Sequence, residues 1–519
     1  MSRREVGIGM VSRGVRSAHW VYSLVFVYSL VFSLIFSLVL SIVICAPSFA
    51  QATRPMTLED CIALALRNGP TARAASLTFA ESEWGYRSYN ASLRPILSLG
   101  GNLPGVERSI GEVTRDDGTV AYVEQNRTSS SFDLSLDQAI PQTGATLSLG
   151  SSLTRTDEFG DVDRTLWQST PLSIQLSQPL FRFNSQGWDR KVEPKRYDLA
   201  RRSYLWDLEG VAVQVTDLFF RFYVADLELQ NAETNAAVND SIYQLSLGRF
   251  EIGNIAENDL LQSELALINS QTELANLRID YERSLRNLKL ELGLAYDDRI
   301  EILPPLDPEP ISIAPERAVR LARENRPDFL SMELSDLQAE ESLARARSTD
   351  RLSADLSASY GLNQSSDTFD EVYDHLLDQQ RFNVGFRVPL LGWGRNRAAI
   401  EGATAALNRT RLENDRKRRE LDQDVHFEAT QFALLARQIE SAAKADTVAS
   451  RRFEVARNRY LIGKIGITEL FDAQQQKDSA RTRYIDTLRR YWVAYHRLRQ
   501  LTLYDIAADR PLEDPMRRD

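Results

Sequence analysis

The chain has 519 residues, 43% of them hydrophobic and 26% charged, with a formal net charge of −10. Such acidity excludes a partner held by phosphate contacts, so no nucleic acid is expected. Two cysteines, Cys45 and Cys61, exclude a disulfide-built scaffold.

The N-terminus reads as a secretory signal. Arg3, Arg4, Arg13 and Arg16 precede an apolar run from Trp20 to Ile44, and Ala46 to Ala50 (APSFA) offers small residues for a cut after Ala50. An uncleaved membrane anchor is the rival reading, because the run exceeds the roughly 20 residues a span needs. Serines at 23, 29, 33, 37 and 41 dilute the run and favour cleavage. Without residues 1–50 the chain keeps 58 basic and 71 acidic side chains, and Cys61 alone rules out an intrachain disulfide.

Residues 51–303 form a first repeat. Thr57 and Asp60 make a capping box that opens helix at about 57–92, interrupted at Asn68-Gly69-Pro70. Alternation follows within 94–181: Phe132, Leu134 and Leu136 are separated by Asp133 and Ser135, and Leu172, Ile174 and Leu176 by Ser173 and Gln175. One apolar and one polar face per strand suits a sheet between two different solvents. Past Pro179 helix returns at about 188–250, with Pro194 tolerable near its start. A turn at Gly253 leads into helix at about 258–293. Leu260, Leu267, Leu274, Tyr281 and Leu288 recur there every seven residues, as in a coiled-coil seam.

A Pro-rich linker, 304–315, joins this to a second repeat, 316–505, with a tail at 506–519. The second repeat has helix at about 316–350, strands within 352–391 ending at Pro389, and helices at about 395–461 and 467–503. Its strands alternate at Ala354, Leu356, Ala358 and Tyr360 and at Phe382, Val384, Phe386 and Val388. Its seam reads Leu470, Lys477, Tyr484, Tyr491 and Leu498.

The two halves are copies. Glu59, Leu64, Ala65, Asn68 and Arg94 meet Glu316, Leu321, Ala322, Asn325 and Arg351 at an offset of 257, while Arg249-Phe-Glu-Ile-Gly253 meets Arg459-Tyr-Leu-Ile-Gly463 at 210. The first copy therefore carries 47 more residues in its middle. Repeats this long are duplicated domains, since solenoid units run to about 50 residues.

Lengths carry the architecture. Each long helix spans about 90–100 Å at 1.5 Å per residue, and two segments near half that length can stack end to end beside it. Two clear strands per repeat give four, whereas the smallest membrane barrels need about eight. Open edges in a bilayer cost several kcal/mol per unpaired group. Closure by oligomerisation removes that cost, and three chains supply twelve strands.

These features together resemble the TolC family of outer-membrane efflux and secretion channels, across nearly all of the mature chain. The resemblance rests on the doubled E-x-x-x-x-x-A-x-x-N-x-P openings, the exits Gln178-Pro179-Leu180 and Val388-Pro389-Leu390-Leu391, and the doubled R-(F/Y)-x-I-G turns. The sharpest motif is Arg459 to Gly463 running on to Glu469-Leu470-Phe471-Asp472-Ala473-Gln474. It implies a mainly α fold with a membrane β-barrel part: duplicated α-helical coiled-coil hairpins plus transmembrane strands, joined as a trimeric α/β-barrel channel. Implied partners are two further copies, outer-membrane lipid, a periplasmic adaptor (membrane fusion protein) and an inner-membrane transporter of RND or ABC type. The implied location is the outer membrane, with a periplasmic helical tunnel.

The resemblance also assigns a periplasmic tip to the turns at Gly253 and Gly463. Glu469 and Asp472, with Asp259 in the first repeat, match acids that ring the family pore, whereas Gln262 replaces the other possible acid. Tyr460 matches a latch tyrosine, but the family's basic latch position holds Ile465, with Lys464 one residue earlier. Pro141-Gln-Thr-Gly144 reads as a tight turn inside the 47 extra residues. The family's twelve strands favour an extra hairpin that lengthens the outer loops over one that makes eighteen.

No constellation for catalysis or metal binding emerges. The histidines lack ligand spacing, Gly392-Trp-Gly394 reads as a turn after a strand exit, and Asp367, Asp370, Glu371 and Asp374 read as a solvated loop. No enzyme activity and no cofactor is expected. A membrane-anchored periplasmic coiled coil would explain the heptads but leave the alternating strands and proline exits unexplained, and an adaptor would have one helical hairpin flanked by β-rich modules where this chain has two hairpins and no such flanks. The cargo is not legible.

Overall fold

The computed structural model describes residues 55–114, 117–159, 163–306 and 311–512. The expected signal at 1–50 lies outside them. One compact unit, Met56–Asp298 with Ile302–Asp519, holds every element below.

Eight helices are named here, in two matching sets. The first is α1 (Leu58–Asn68), α2 (Pro70–Ser92), α3 (Ser185–Glu251) and α4 (Glu257–Leu292); the second is α5 (Pro315–Asn325), α6 (Pro327–Ser348), α7 (Arg395–Leu461) and α8 (Ile467–Thr502). The long helices α3 and α7 have 67 residues each, and α4 and α8 have 36 each. Local chemistry explains the boundaries. Thr57 and Asp60 cap α1 reciprocally, and a proline at the first turn restarts helix at both α2 and α6. Asn184 caps α3 by accepting from Gly187 N. Gly69 is demanded by space, since a Cβ there would lie 2.6 Å from Glu291 O.

The short helices share the flank of each long one. Phe79 of α2 stacks on Tyr204 of α3 at 5.1 Å, and farther along Phe222 of α3 meets Tyr281 of α4. In the second set, Asn414 of α7 donates to Met332 O and Ser335 Oγ of α6, Arg323 of α5 pairs with Asp422, and Phe432 stacks on Tyr491 of α8. The seam residues of α4 and α8 are buried or half-buried, and Lys477, the polar exception, lays its Nζ over Phe453. One core cluster joins Ala318 and Ala322, Val425 and Phe432, and Tyr491 and Leu498, from α5, α7 and α8.

Six strands form one sheet among the described residues: β1 (Ile96–Thr114), β2 (Val120–Ile140), β3 (Ala145–Phe159), β4 (Arg164–Leu180), β5 (Ser353–Ser366) and β6 (Leu377–Arg387). Their order is sequential and each neighbouring pair is antiparallel. Irregularities fall beside Pro104 and Pro171, which cannot donate to a ladder. The expectation of longer outer loops is overturned here. The extra residues of the first repeat build β2 and β3, because Phe132, Leu134 and Leu136 and then Leu147 and Leu149 alternate with polar residues and give each strand an apolar face that matches its neighbours.

Candidate functional site

The sheet has two unlike faces. Cross-strand register aligns Leu99 with Leu134, Leu136 with Leu149, Leu149 with Ile174, Ile174 with Tyr360, and Ala358 with Phe382. One apolar face thus runs without a break from β1 to β6. Many of its residues are exposed, among them Leu149 at 39%, Leu99 at 72% and Phe386 at 75%, while Leu136 and Ala358 are half-buried. An exposed apolar surface of this extent marks a lipid or protein contact. The opposite face is polar: Ser98 and Ser135 share a hydrogen bond at 3.0 Å, and Ser148 donates to Asp137. Pro179 lies within the last residues of β4, and Pro389 stands two residues past the end of β6.

The two helix turns have one geometry. Gly253 and Gly463 take φ of +76° and +73°. In each, the glycine N–H reaches back three residues and the next N–H reaches back five, to Phe250 and Arg249 in one and to Tyr460 and Arg459 in the other. This is the Schellman end, and the left-handed glycine it needs explains both R-(F/Y)-x-I-G motifs.

At these turns an apolar cluster binds the hairpins together. Ile242 of α3 packs with Tyr460 of α7 and Leu470 of α8, each at most 7% exposed, and Val238, Phe453, Ile465 and Phe471 close over them. Arg249 lies 6.0 Å over the Tyr460 ring. Ile465 is part of this cluster.

The predicted acids divide. Asp472 is tied to its own hairpin by Arg452 at 2.7 Å and by Gln476. Glu469, Asp259 and Lys464 are exposed. Gln262 bridges the tips by donating to Thr468 Oγ1 at 3.4 Å. Sequence reasoning missed Arg452 and Ile242; the available signal was the three- and four-residue spacing of Phe453, Ala456 and Tyr460 on one helix face.

Farther from the tips, α3, α4 and α8 enclose a groove of about 830 Å³ lined by Asn235, Asn269, Ser270, Gln475 and Asp478. Beyond it Arg489 pairs with Asp217, and Arg499 pairs with Glu209 at 3.0 Å. Burial pushes the Glu209 carboxyl up, opposed by Arg499. Burial also pushes the neighbouring His496 imidazole down to about 3, helped by Arg499. Among the described residues no cluster of His, Cys, Asp and Glu could hold a metal ion, and no helix is long and apolar enough to cross a membrane.

The sequence model of outer membrane efflux proteins matches residues 117–294 and 318–502, well over half of the chain. This chain belongs to the outer membrane efflux protein family. Both matched stretches contain a helical hairpin, and membership places the chain among outer-membrane export channels with periplasmic helices. Solved relatives share the fold. The CmeC outer-membrane channel of Campylobacter jejuni superimposes with a TM-score of 0.62 at 15% identity, over 91% of this chain and 93% of its own. VceC of Vibrio cholerae gives 0.61 at 13%, over 86% and 95%. The open MtrE channel of Neisseria gonorrhoeae gives 0.59 at 16%, over 86% and 88%. No curated sequence matches the chain.

Proposed function

We propose that three copies of this chain close into a passive conduit that carries cargo out through the outer membrane. The observation that carries this reading is the unbroken apolar face of a sheet whose strands lead, past Pro179 and Pro389, into paired 67-residue helices. The apolar face would meet lipid and the polar face would line the bore. Trimer closure removes unpaired strand edges from the bilayer. The tips would dock a periplasmic adaptor, and an inner-membrane transporter of RND or ABC type would supply the energy.

The tips are then the gate. Glu469, Asp472 and Asp259 would ring the three-fold axis, where convergent carboxylates attract cations. Arg452 partly neutralises Asp472, so Glu469 and Asp259 carry most of the ring's charge. Closure rests on the cluster of Ile242, Tyr460 and Leu470, and opening swings one hairpin off the other. Gly253 and Gly463 fix the turns that the adaptor meets, and Lys464 stands exposed at that surface.

Two measurements test this. Detergent-extracted protein should have the mass of a trimer and lack residues 1–50; an inner-membrane monomer would refute the conduit. In single-channel recordings, Glu469→Ala with Asp472→Ala should weaken block by divalent cations. Unchanged block would remove both residues from the gate.

A further inference from the structure

The family resemblance implies four barrel strands per chain, and among the described residues the sheet has six. We propose that three copies close an eighteen-stranded barrel, in which β6 of each chain pairs with β1 of the next and the β2–β3 hairpin is part of the membrane wall. The inference rests on the conduit reading above and concerns how wide that conduit is.

The insertion can be placed to the strand. At an offset of 257 residues β5 superposes on β1, and at 210 β6 superposes on β4. The 47 added residues are therefore β2, β3 and their turns, set between two strands that both repeats possess.

Three observations put this hairpin in the wall rather than above it. First, its apolar residues continue the band. Phe132, Leu134 and Leu136 stand beside Leu97 and Leu99 on one side, and Leu147 and Leu149 stand beside Ile174 and Leu176 on the other. A hairpin in water on both faces has no reason to alternate in this way.

Second, its inner turn lies at the root of the sheet. Asn184, the N-cap of α3, donates to Pro141 O at 2.8 Å, and Gln178 beside the exit proline donates to Thr143 O at 3.0 Å. The hairpin thus descends to the level where strand gives way to helix. With 21 and 15 residues, β2 and β3 exceed the roughly 9–11 that a tilted strand needs to cross a bilayer.

Third, a twelve-stranded wall would require β1 to pair with β4. That means unzipping the β1–β2 and β3–β4 ladders, which run from Ile96 with Asp137 to Thr114 with Val120 and from Thr146 with Ser177 to Glu158 with Arg164.

The remaining edges suit one another. Six is an even number, so β6 descends where the next chain's β1 ascends, and the antiparallel pattern continues. Both edges bring exposed apolar residues to the join: Leu97 and Leu99 on β1, Phe382, Val384 and Phe386 on β6. The occupant of each edge is thus a second copy of this chain. At equal tilt, barrel diameter grows about linearly with strand number, so eighteen strands make the wall half again as wide as twelve.

The test uses full-length protein in vesicles containing brominated phospholipid, with a fluorophore attached at a single introduced cysteine. Leu149→Cys on β3 should lose as much fluorescence to the lipid as Ile174→Cys on β4, while Ser148→Cys on the polar face should be spared. A Leu149 label as unquenched as the Ser148 label, with Ile174 quenched, would overturn the eighteen-stranded wall and leave the conduit standing. Failure to quench at Ile174 as well would remove the barrel itself. If a variant does not assemble, electron cryomicroscopy of the unmodified trimer counts the strands: eighteen supports the inference and twelve ends it.

Discussion

Replacing Ile242 with alanine isolates the contact between the two hairpins at the tip. Ile242 is 7% exposed, and apart from Val238 the apolar residues packed around it all lie on α7, α8 or the turn between them. Truncating a buried isoleucine to alanine costs about 2–5 kcal/mol. A site roofed by half-buried side chains near a helix end belongs at the lower end, about 2–3 kcal/mol. If opening swings the second hairpin away, that energy is lost from the closed state alone. The closed-to-open ratio should then fall by about 30- to 150-fold, at about 1.4 kcal/mol per decade. Open probability in planar-bilayer recordings reads this directly, and entry of a bulky antibiotic into cells reads it indirectly. The control is Arg452→Ala. Its ion pair with Asp472 is half exposed, at 49% and 52%, so removal is worth at most about 1 kcal/mol, or about five-fold. The reasoning is refuted if Arg452→Ala opens the channel as much as Ile242→Ala, or if high salt alone reproduces the effect.

Other predictions are independent of the gate. Because the folded pKa of His496 is held at about 3, below the ordinary 6.5, the unfolded chain takes up a proton first as pH falls. Stability should drop by about 1.4 kcal/mol per pH unit from 6.5 towards 3, and denaturant melts of His496→Leu should lack that slope. Arg499→Met strands Glu209 in the interior and should cost about 3–5 kcal/mol, whereas a double change that also makes Glu209→Gln should recover most of it in the same melts. Burial pushes the Cys61 thiol up to about 12, so a polar maleimide should label it only in denaturant; rapid labelling of native protein would contradict its place in the core.

The fold class was legible because duplication, period and punctuation agreed. Alternation marked the strands, heptads marked α4 and α8, and a left-handed glycine after R-(F/Y)-x-I explained why each long helix turns where it does. Strand number was misjudged for a definable reason. Phe132, Leu134, Leu147 and Leu149 showed the alternation of a two-faced strand, but the resemblance to four-stranded relatives outweighed it. The tip was half legible. Tyr460, Ile465 and the acids could be matched to a motif, yet the pairing of Asp472 with Arg452 and the seat of Ile242 depend on how two hairpins separated by some 200 residues lie together. No local pattern encodes that.

Equal helices constrain how such a chain can change. The first repeat holds a hairpin that the second lacks, yet α3 matches α7 at 67 residues and α4 matches α8 at 36. One residue added to a single helix would lift its turn by about 1.5 Å and rotate it by about 100°, so the four helices of a chain would no longer end level. A hairpin added to the sheet disturbs neither height nor phase and keeps strand directions alternating. The helices keep one length to the residue in both repeats, while the sheet differs between the repeats by two strands. Strand number and helix length thus differ independently between the two repeats of this chain.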